Sequence, residues 1–276
     1  MSTDTNQTIA VIKAVAAEID RAERILFITG AGISADSDLP TYRGVGGLYQ
    51  DQATEEGIRI EEALSAMMFA HRPALTWKYL WQIGAACHGA KPNRAHEVIA
   101  LLQQHKPSIA VLTQNIDGLH RAAGTANLIE VHGHAFDLFC TRCRTQFSAA
   151  DLIANYERQP ELPPTCPQCG GGVRPDVVLF CERLPDEAVQ AMMALSNPPP
   201  ELVIAIGTSS TFPYIVGPVV QAGYLGIPTV EINPVDTSVS ALVTYRLRLG
   251  AAEAMDKIWA YSSKSKPLLS KLGDVG

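Results

Sequence analysis

The sequence predicts an α/β protein: a doubly wound parallel sheet with a smaller, helical and metal-binding lobe inserted into it. Three observations carry this expectation. Short runs that are apolar throughout, without strict alternation, recur along the chain, as strands covered on both faces require. Helical patterns lie between several of them, the rhythm of βαβ units. Two segments break that rhythm, 44–89 and 136–173, and the second carries two C-x-x-C pairs.

In chain order, Ile9, Ile12, Ala16 and Ile19 recur at helical spacing, which predicts an amphipathic helix from about Thr8 to Ala22. RILFITG follows, a β-rich run closed by Gly30. Further strands of the same sheet are expected at Ser108–Thr113, Asn127–Gly133, Pro175–Phe180, Glu201–Gly207 and Ile227–Asn233. Helices are expected at Pro92–His105, where Pro92 suits the first turn, at Pro185–Leu195 and at Pro213–Tyr224, the last interrupted by Gly217 and Pro218. The segment 44–89 is a glycine-rich loop followed by mostly helical sequence. The expected organisation is therefore a discontinuous main domain (1–43, 90–135 and 174–262), a smaller lobe made of the 44–89 and 136–173 insertions, and a loosely held tail, 263–276.

Composition bounds the function. The 276 residues are 47% apolar and 18% charged, as in a soluble globular protein. The N-terminus MSTDTNQTIAV has neither the basic start nor the apolar core of a signal peptide, and no apolar run approaches a bilayer-spanning length, so a cytoplasmic location without a membrane partner is expected. A net charge of -6 argues against nucleic acid held on a broad basic face and is compatible with a lysine-rich partner.

Of six cysteines, Cys87 and Cys181 stand alone, whereas Cys140, Cys143, Cys166 and Cys169 form two C-x2-C units with 22 residues between them. That spacing is close to that of zinc ribbons, in which each pair supplies two thiolates from one tight turn. Four thiolates leave no open position, so the ion expected is a structural Zn²⁺.

Gly30, Gly32 and Ala35 match G-x-G-x-x-[G/A] directly after a strand. Either the glycines let the backbone approach a pyrophosphate, or they make a structural strand-to-helix turn. Pro40 arrives about two turns later and Gly44, Gly46 and Gly47 follow, so any helix here is short and runs into a loop. Other strand ends are also polar: Gln114, Asn115 and Asp117 in TQNIDGLH, His132 in EVHGH, Gly207-Thr208-Ser209, and Asn233. Ligands of parallel sheets bind at that end. His132, after a buried-looking strand, is a candidate proton acceptor; His71, His88, His96 and His105 read as ordinary core or surface histidines. Asp117 could equally cap the helix that contains Leu119.

In their order, GAGIS with PTYRG, TQNIDGLH, HG after a strand, the cysteine quartet, RPDVVLF, GTS and EIN resemble the sirtuin family of NAD-dependent protein-lysine deacylases, from about Arg24 to Ala252. The resemblance implies a Rossmann-like large domain, a small domain holding one structural Zn²⁺, and NAD as co-substrate in the cleft between them. It implies NAD contacts from Gly30, Ala31, Gly32, Tyr42, Arg43, Gln114, Asn115, Ile116, Asp117, Gly207, Thr208, Ser209, Asn233 and Ala252. His132 matches the general base, with Asn115 and Asp117 in the catalytic set, and Tyr42 could cover the reacting ribose. An acylated lysine peptide would lie as an added strand between Phe180–Pro185 and Ser210–Tyr214. Asp38 and Cys181 stand where the family usually has glycine, and Tyr79 is followed three positions on by Gln82, not by the arginine of relatives that prefer acidic acyl groups. Mono-ADP-ribosyl transfer and non-catalytic NAD sensing are the alternative functions.

Overall fold

In the computed structural model the residues described are 3–40, 54–153 and 161–265. Tyr42 and Arg43 lie outside them.

The central sheet has six strands: β1 (Ile25–Thr29), β2 (Ala110–Thr113), β3 (Leu128–Glu130), β7 (Leu202–Ile206), β8 (Thr229–Ile232) and β9 (Tyr245–Leu247). All pairings are parallel, in the order β3-β2-β1-β7-β8-β9. This is the doubly wound Rossmann order, and it places a crevice at the carboxyl ends of β1 and β7, where the winding reverses. Every residue of β1, β2, β7 and β8 is buried, which accounts for their unalternating apolar runs.

One face of the sheet is covered by α1 (Thr3–Arg21), α5 (Arg94–His105) and α10 (Ala251–Tyr261), whose Ile12, Ile19, Ile99, Leu102, Met255 and Ile258 pack with Phe27, Val111 and Ile204. The opposite face carries α8 (Asp186–Ala194) and α9 (Pro213–Tyr224); Ile215 and Val219 of α9 pack on Leu26, Ile28 and Val203. Each large apolar side chain buried this way contributes about 1.5–3 kcal/mol.

The smaller lobe has its own core. Helices α2 (Ile60–Ala63), α3 (Ala66–His71) and α4 (Pro73–Cys87) pack against β4 (Gly133–Cys140), β5 (Gln146–Ser148) and β6 (Val173–Val177), an antiparallel sheet of order β5-β4-β6. Trp77 anchors the packing, with its indole N–H donating to the Val173 carbonyl at 2.8 Å. The remaining short helices are α6 (Leu119–Ala122) and α7 (Ala149–Leu152).

Three features depart from the sequence reading. The run Pro175–Phe180, expected in the parallel sheet, instead contributes to β6 at the edge of the antiparallel sheet. Pro175 has no N–H to donate, which an edge strand tolerates, and Val177 and Leu179 are buried in the small-lobe core. β9 was not anticipated: it alternates Tyr, Arg, Leu at the edge of the central sheet and never forms an apolar run. Nor was α10, although Ala251, Ala254, Met255 and Ile258 give it one apolar face.

Candidate active site

The turn after β1 is built on glycine for steric reasons. Gly30 leads into a 3-10 helix, Ala31–Ser37, and the Gly32 N–H donates to the Gly207 carbonyl at 2.8 Å. A Cβ on Gly32 would sit 2.7 Å from the Gly207 Cα, and one on Gly207, whose φ is +59°, would sit 2.3 Å from the Gly32 carbonyl carbon. The two loops at the sheet's switch point therefore touch backbone to backbone. Gly207→Ala is expected to lower stability by about 2–5 kcal/mol, from the left-handed backbone plus overpacking, as read by urea denaturation.

The 3-10 helix ends at Asp38, whose φ of 59° and ψ of 18° are left-handed, with its N–H donating back to the Ala35 carbonyl. Cys181 is left-handed too, at φ 68°. The two residues that depart from glycine thus occupy the backbone region glycine favours. Asp38→Gly is expected to stabilise the fold by about 0.5–1 kcal/mol, measured by the same denaturation.

Around this turn the predicted polar residues converge. Ser34, buried at 2% exposure, donates from its hydroxyl to Asp117 Oδ2 at 2.7 Å and accepts from Asn115 Nδ2 at 3.2 Å. The same Asn115 amide donates to the Gly30 carbonyl at 3.2 Å, while Asp117 Oδ1 accepts from the Leu119 N–H at 2.9 Å. Asp117 thus accepts from the first N–H of α6, whose N-cap is Gly118, and also orients Ser34. Gln114 Nε2 donates to Thr208 Oγ1 at 2.8 Å, and Asn233 Nδ2 donates to the Thr208 carbonyl at 3.1 Å, so the ends of β2, β7 and β8 are cross-linked. Ile116 is half-buried and its carbonyl accepts from the Ala135 N–H. Ser209 is exposed, its hydroxyl 2.9 Å from that of Thr211. Ala252, at the start of α10, donates its N–H to Asp36 Oδ2 at 2.9 Å, tying that helix to the turn that contains Ala31.

His132 follows β3 on the same edge. Its Nδ1 lies 3.0 Å from the Gln114 carbonyl, which can only accept, so Nδ1 carries the hydrogen and Nε2 the lone pair. Burial pushes its pKa below the ordinary 6.5, opposed by the bond to Gln114. A neutral imidazole with one fixed acceptor nitrogen is what a general base requires. Two further histidines lie deeper: His120, bonded through Nε2 to Thr29 Oγ1, is pushed down to about 3, and His96 to about 4, both mainly by burial, so both are neutral structural groups. Burial pushes the Cys87 thiol up to about 12, which makes it a poor nucleophile.

Sequence reasoning did not single out Ser34, Asp36 or Tyr214. Ser34 lies inside the quoted GAGIS motif, and being a small polar residue before an alanine it was legible only as part of the turn. Tyr214 places its hydroxyl 2.7 Å from His132 Nε2, a contact across 82 positions.

In the small lobe, Cys140, Cys143, Cys166 and Cys169 bring their sulfurs within 4.8 Å of one another, with Cys140 and Cys169 3.5 Å apart and Cys143 and Cys166 3.7 Å apart. Thiolates bound at 2.3 Å around a tetrahedral ion are about 3.8 Å apart, so the quartet fits Zn²⁺. The Arg142 and Cys143 N–H groups both point at Cys140 Sγ, which stabilises a thiolate there. The quartet joins one end of β4 to the loop before β6.

A doubly wound sheet with a polar switch-point edge, a neutral histidine on that edge and an inserted tetrathiolate lobe define a dinucleotide-binding α/β protein with a structural zinc module. The chain belongs to the Sir2 family, whose model matches residues 30–213. It is 48% identical over 249 residues to NAD-dependent protein deacylase 2 of Pseudomonas aeruginosa, covering 90% of this chain and 95% of that protein. Among solved structures it is similar to a mutant Sir2 homologue in complex with ADP-ribose, with a TM-score of 0.78 and 30% identity over 91% of this chain and 96% of the other. It is also similar to a Sir2 protein with a deacetylated peptide and 3'-O-acetyl ADP-ribose, with a TM-score of 0.80 and 27% identity over 90% and 97% of the two chains.

Proposed function

We propose that this protein is an NAD-dependent protein-lysine deacylase that removes acetyl groups, releasing nicotinamide and leaving the acyl group on ADP-ribose. The observation that carries the reading is the neutral His132, fixed by the Gln114 carbonyl on the edge where the Gly30–Ser34 turn and the Asn115–Asp117 loop meet. NAD, when bound, supplies the ribose carbon that takes the acyl oxygen as nicotinamide leaves.

The chain's own residues bind, orient and move one proton. Gly30, Ala31 and Gly32, with Gly207, Thr208 and Ser209, offer backbone amides and hydroxyls to the diphosphate. Gln114, Asn115, Ile116 and Asp117 hold the nicotinamide side, and Asn233 and Ala252 the adenosine side. The Ser34 link to both Asn115 and Asp117 keeps that set in one orientation. Tyr42 and Arg43 are assigned to the cover that excludes water during cleavage. His132 Nε2 accepts the proton of a ribose hydroxyl, making that oxygen the nucleophile toward the acyl carbon. The peptide is assigned to the slot between Phe180–Pro185 and Ser210–Tyr214. Phe180 is held there by exchange of backbone hydrogen bonds with Leu64 and Ala66. An acidic acyl group is disfavoured, because the Tyr79 hydroxyl donates to the Glu56 carboxylate and position 82 is glutamine. Location in the cytoplasm and action on acylated lysine side chains of proteins, without nucleic acid or membrane, complete the reading. Among the described residues no helix is long and apolar enough to cross a membrane.

Nicotinamide release measured with and without an acetyl-lysine peptide tests the reading: release is expected only with the peptide, and peptide-independent release rejects it. The pH dependence follows from His132. A base works only while neutral, so activity is present above its pKa and is lost as pH falls through it. Because burial lowers that pKa, the acid-side half-point of kcat/KM for NAD is expected below 6.5. A half-point above 6.5 contradicts the assignment.

A further inference from the structure

The proton-accepting nitrogen of His132 already has a partner. With Nδ1–H donating to the Gln114 carbonyl, Nε2 can only accept, and the Tyr214 O–H is the donor, at 2.7 Å. We propose that Tyr214 is a positioning residue for His132: its hydroxyl fixes the direction of the Nε2 lone pair and occupies it until a ribose hydroxyl of NAD takes its place. This rests on the reading of His132 as the base.

The two bonds act at opposite ends of one ring. Gln114 selects the tautomer, and Tyr214 sets the direction of the Nε2 lone pair; together they allow the half-buried imidazole one orientation. An imidazole nitrogen has a single lone pair, so Nε2 cannot accept from the phenol and from a ribose hydroxyl at once. Exchange of one donor for the other is therefore part of forming the reactive complex.

The surroundings suit that exchange. The Tyr214 ring stacks on Phe212, with centroids 5.4 Å apart and planes at 11°, and both rings meet His132 edge-on. The same tyrosine borders a cavity of about 50 Å³ lined by Leu26, Leu112, Met192, Pro218 and Leu225. Tyr214 also stands at the start of α9, at the end of the loop assigned to one side of the peptide slot. A peptide pairing with that loop would act on the residue that holds the base, so peptide and dinucleotide would release His132 together.

The test compares wild type with Tyr214→Phe, which keeps the ring stack and removes only the hydroxyl. With selectively labelled histidine and no added nucleotide, the ¹⁵N resonance of His132 Nε2 is expected to move downfield in the variant, while Nδ1 keeps its position. In the wild-type chain, addition of ADP-ribose is expected to perturb the same Nε2 signal. In steady state, the KM for NAD is expected to fall about two- to tenfold in Tyr214→Phe, the equivalent of one net hydrogen bond, with a smaller change in kcat. An unchanged Nε2 resonance in the variant overturns the proposal, and so does a fall in kcat at constant KM, which would put the phenol in the chemical step. His132→Ala keeps the two readings apart: if that variant retains turnover while Nε2 still responds to Tyr214→Phe, the contact stands and the assignment of the base has failed.

Discussion

His132→Ala is expected to lower turnover about 10²–10⁴-fold, the usual contribution of a positioned acid–base group, with NAD binding retained. The expectation follows from how few bonds the imidazole makes to the rest of the fold. It bonds Gln114 through a backbone carbonyl and Tyr214 through a hydroxyl, while the Gln114 side chain continues to reach Thr208 in its absence. The Ser34–Asn115–Asp117 set is likewise independent of the histidine. Removing the ring therefore deletes a base and leaves the dinucleotide edge standing. Calorimetric titration with NAD, run beside the rate measurement, checks the separation: weakened NAD binding in step with lost turnover would make His132 a structural residue.

The second large effect is at the metal site. Cys166→Ser is expected to abolish zinc binding and unfold the small lobe, because Cys140 and Cys166 are themselves buried in the core that contains Trp77 and Trp81. Apparent zinc-binding energies in small zinc modules are about 10–16 kcal/mol, as large as the whole stability of an ordinary domain at about 5–15 kcal/mol, so this lobe is not expected to survive loss of a ligand. Metal analysis should show the loss of one zinc per chain, and tryptophan fluorescence should shift to the red as Trp77 and Trp81 meet water. Trp259, packed on the other core, reports on the Rossmann-like sheet separately. A variant with full metal content would remove Cys166 from the site.

Legibility in the sequence followed a physical division. β1, β2, β7 and β8 were readable because burial on both faces demands continuous apolar runs, and their ends were readable because polar groups there face the crevice. The cysteine quartet was readable from spacing alone, since a metal site sets both the residue type and the turn length. β6 misled because an apolar run does not say which sheet it joins; only its pairing with β4 does. β9 escaped because an edge strand next to solvent alternates. The Tyr214 contact with His132 depends on the orientation of α9 relative to β3, and no local pattern encodes that. Asp38 lay between: it stands where the family usually has glycine, and its backbone is left-handed at φ 59°.

Mass spectrometry of the products formed from NAD and an acetyl-lysine peptide carrying a labelled acetyl group addresses the central claim most directly. The expected result is nicotinamide, unmodified lysine and the label on ADP-ribose in equal amounts, with turnover to them about 10²–10⁴-fold slower in His132→Ala. Label released as free acetate from the first turnover, or ADP-ribose found attached to protein in place of acyl transfer, would contradict it.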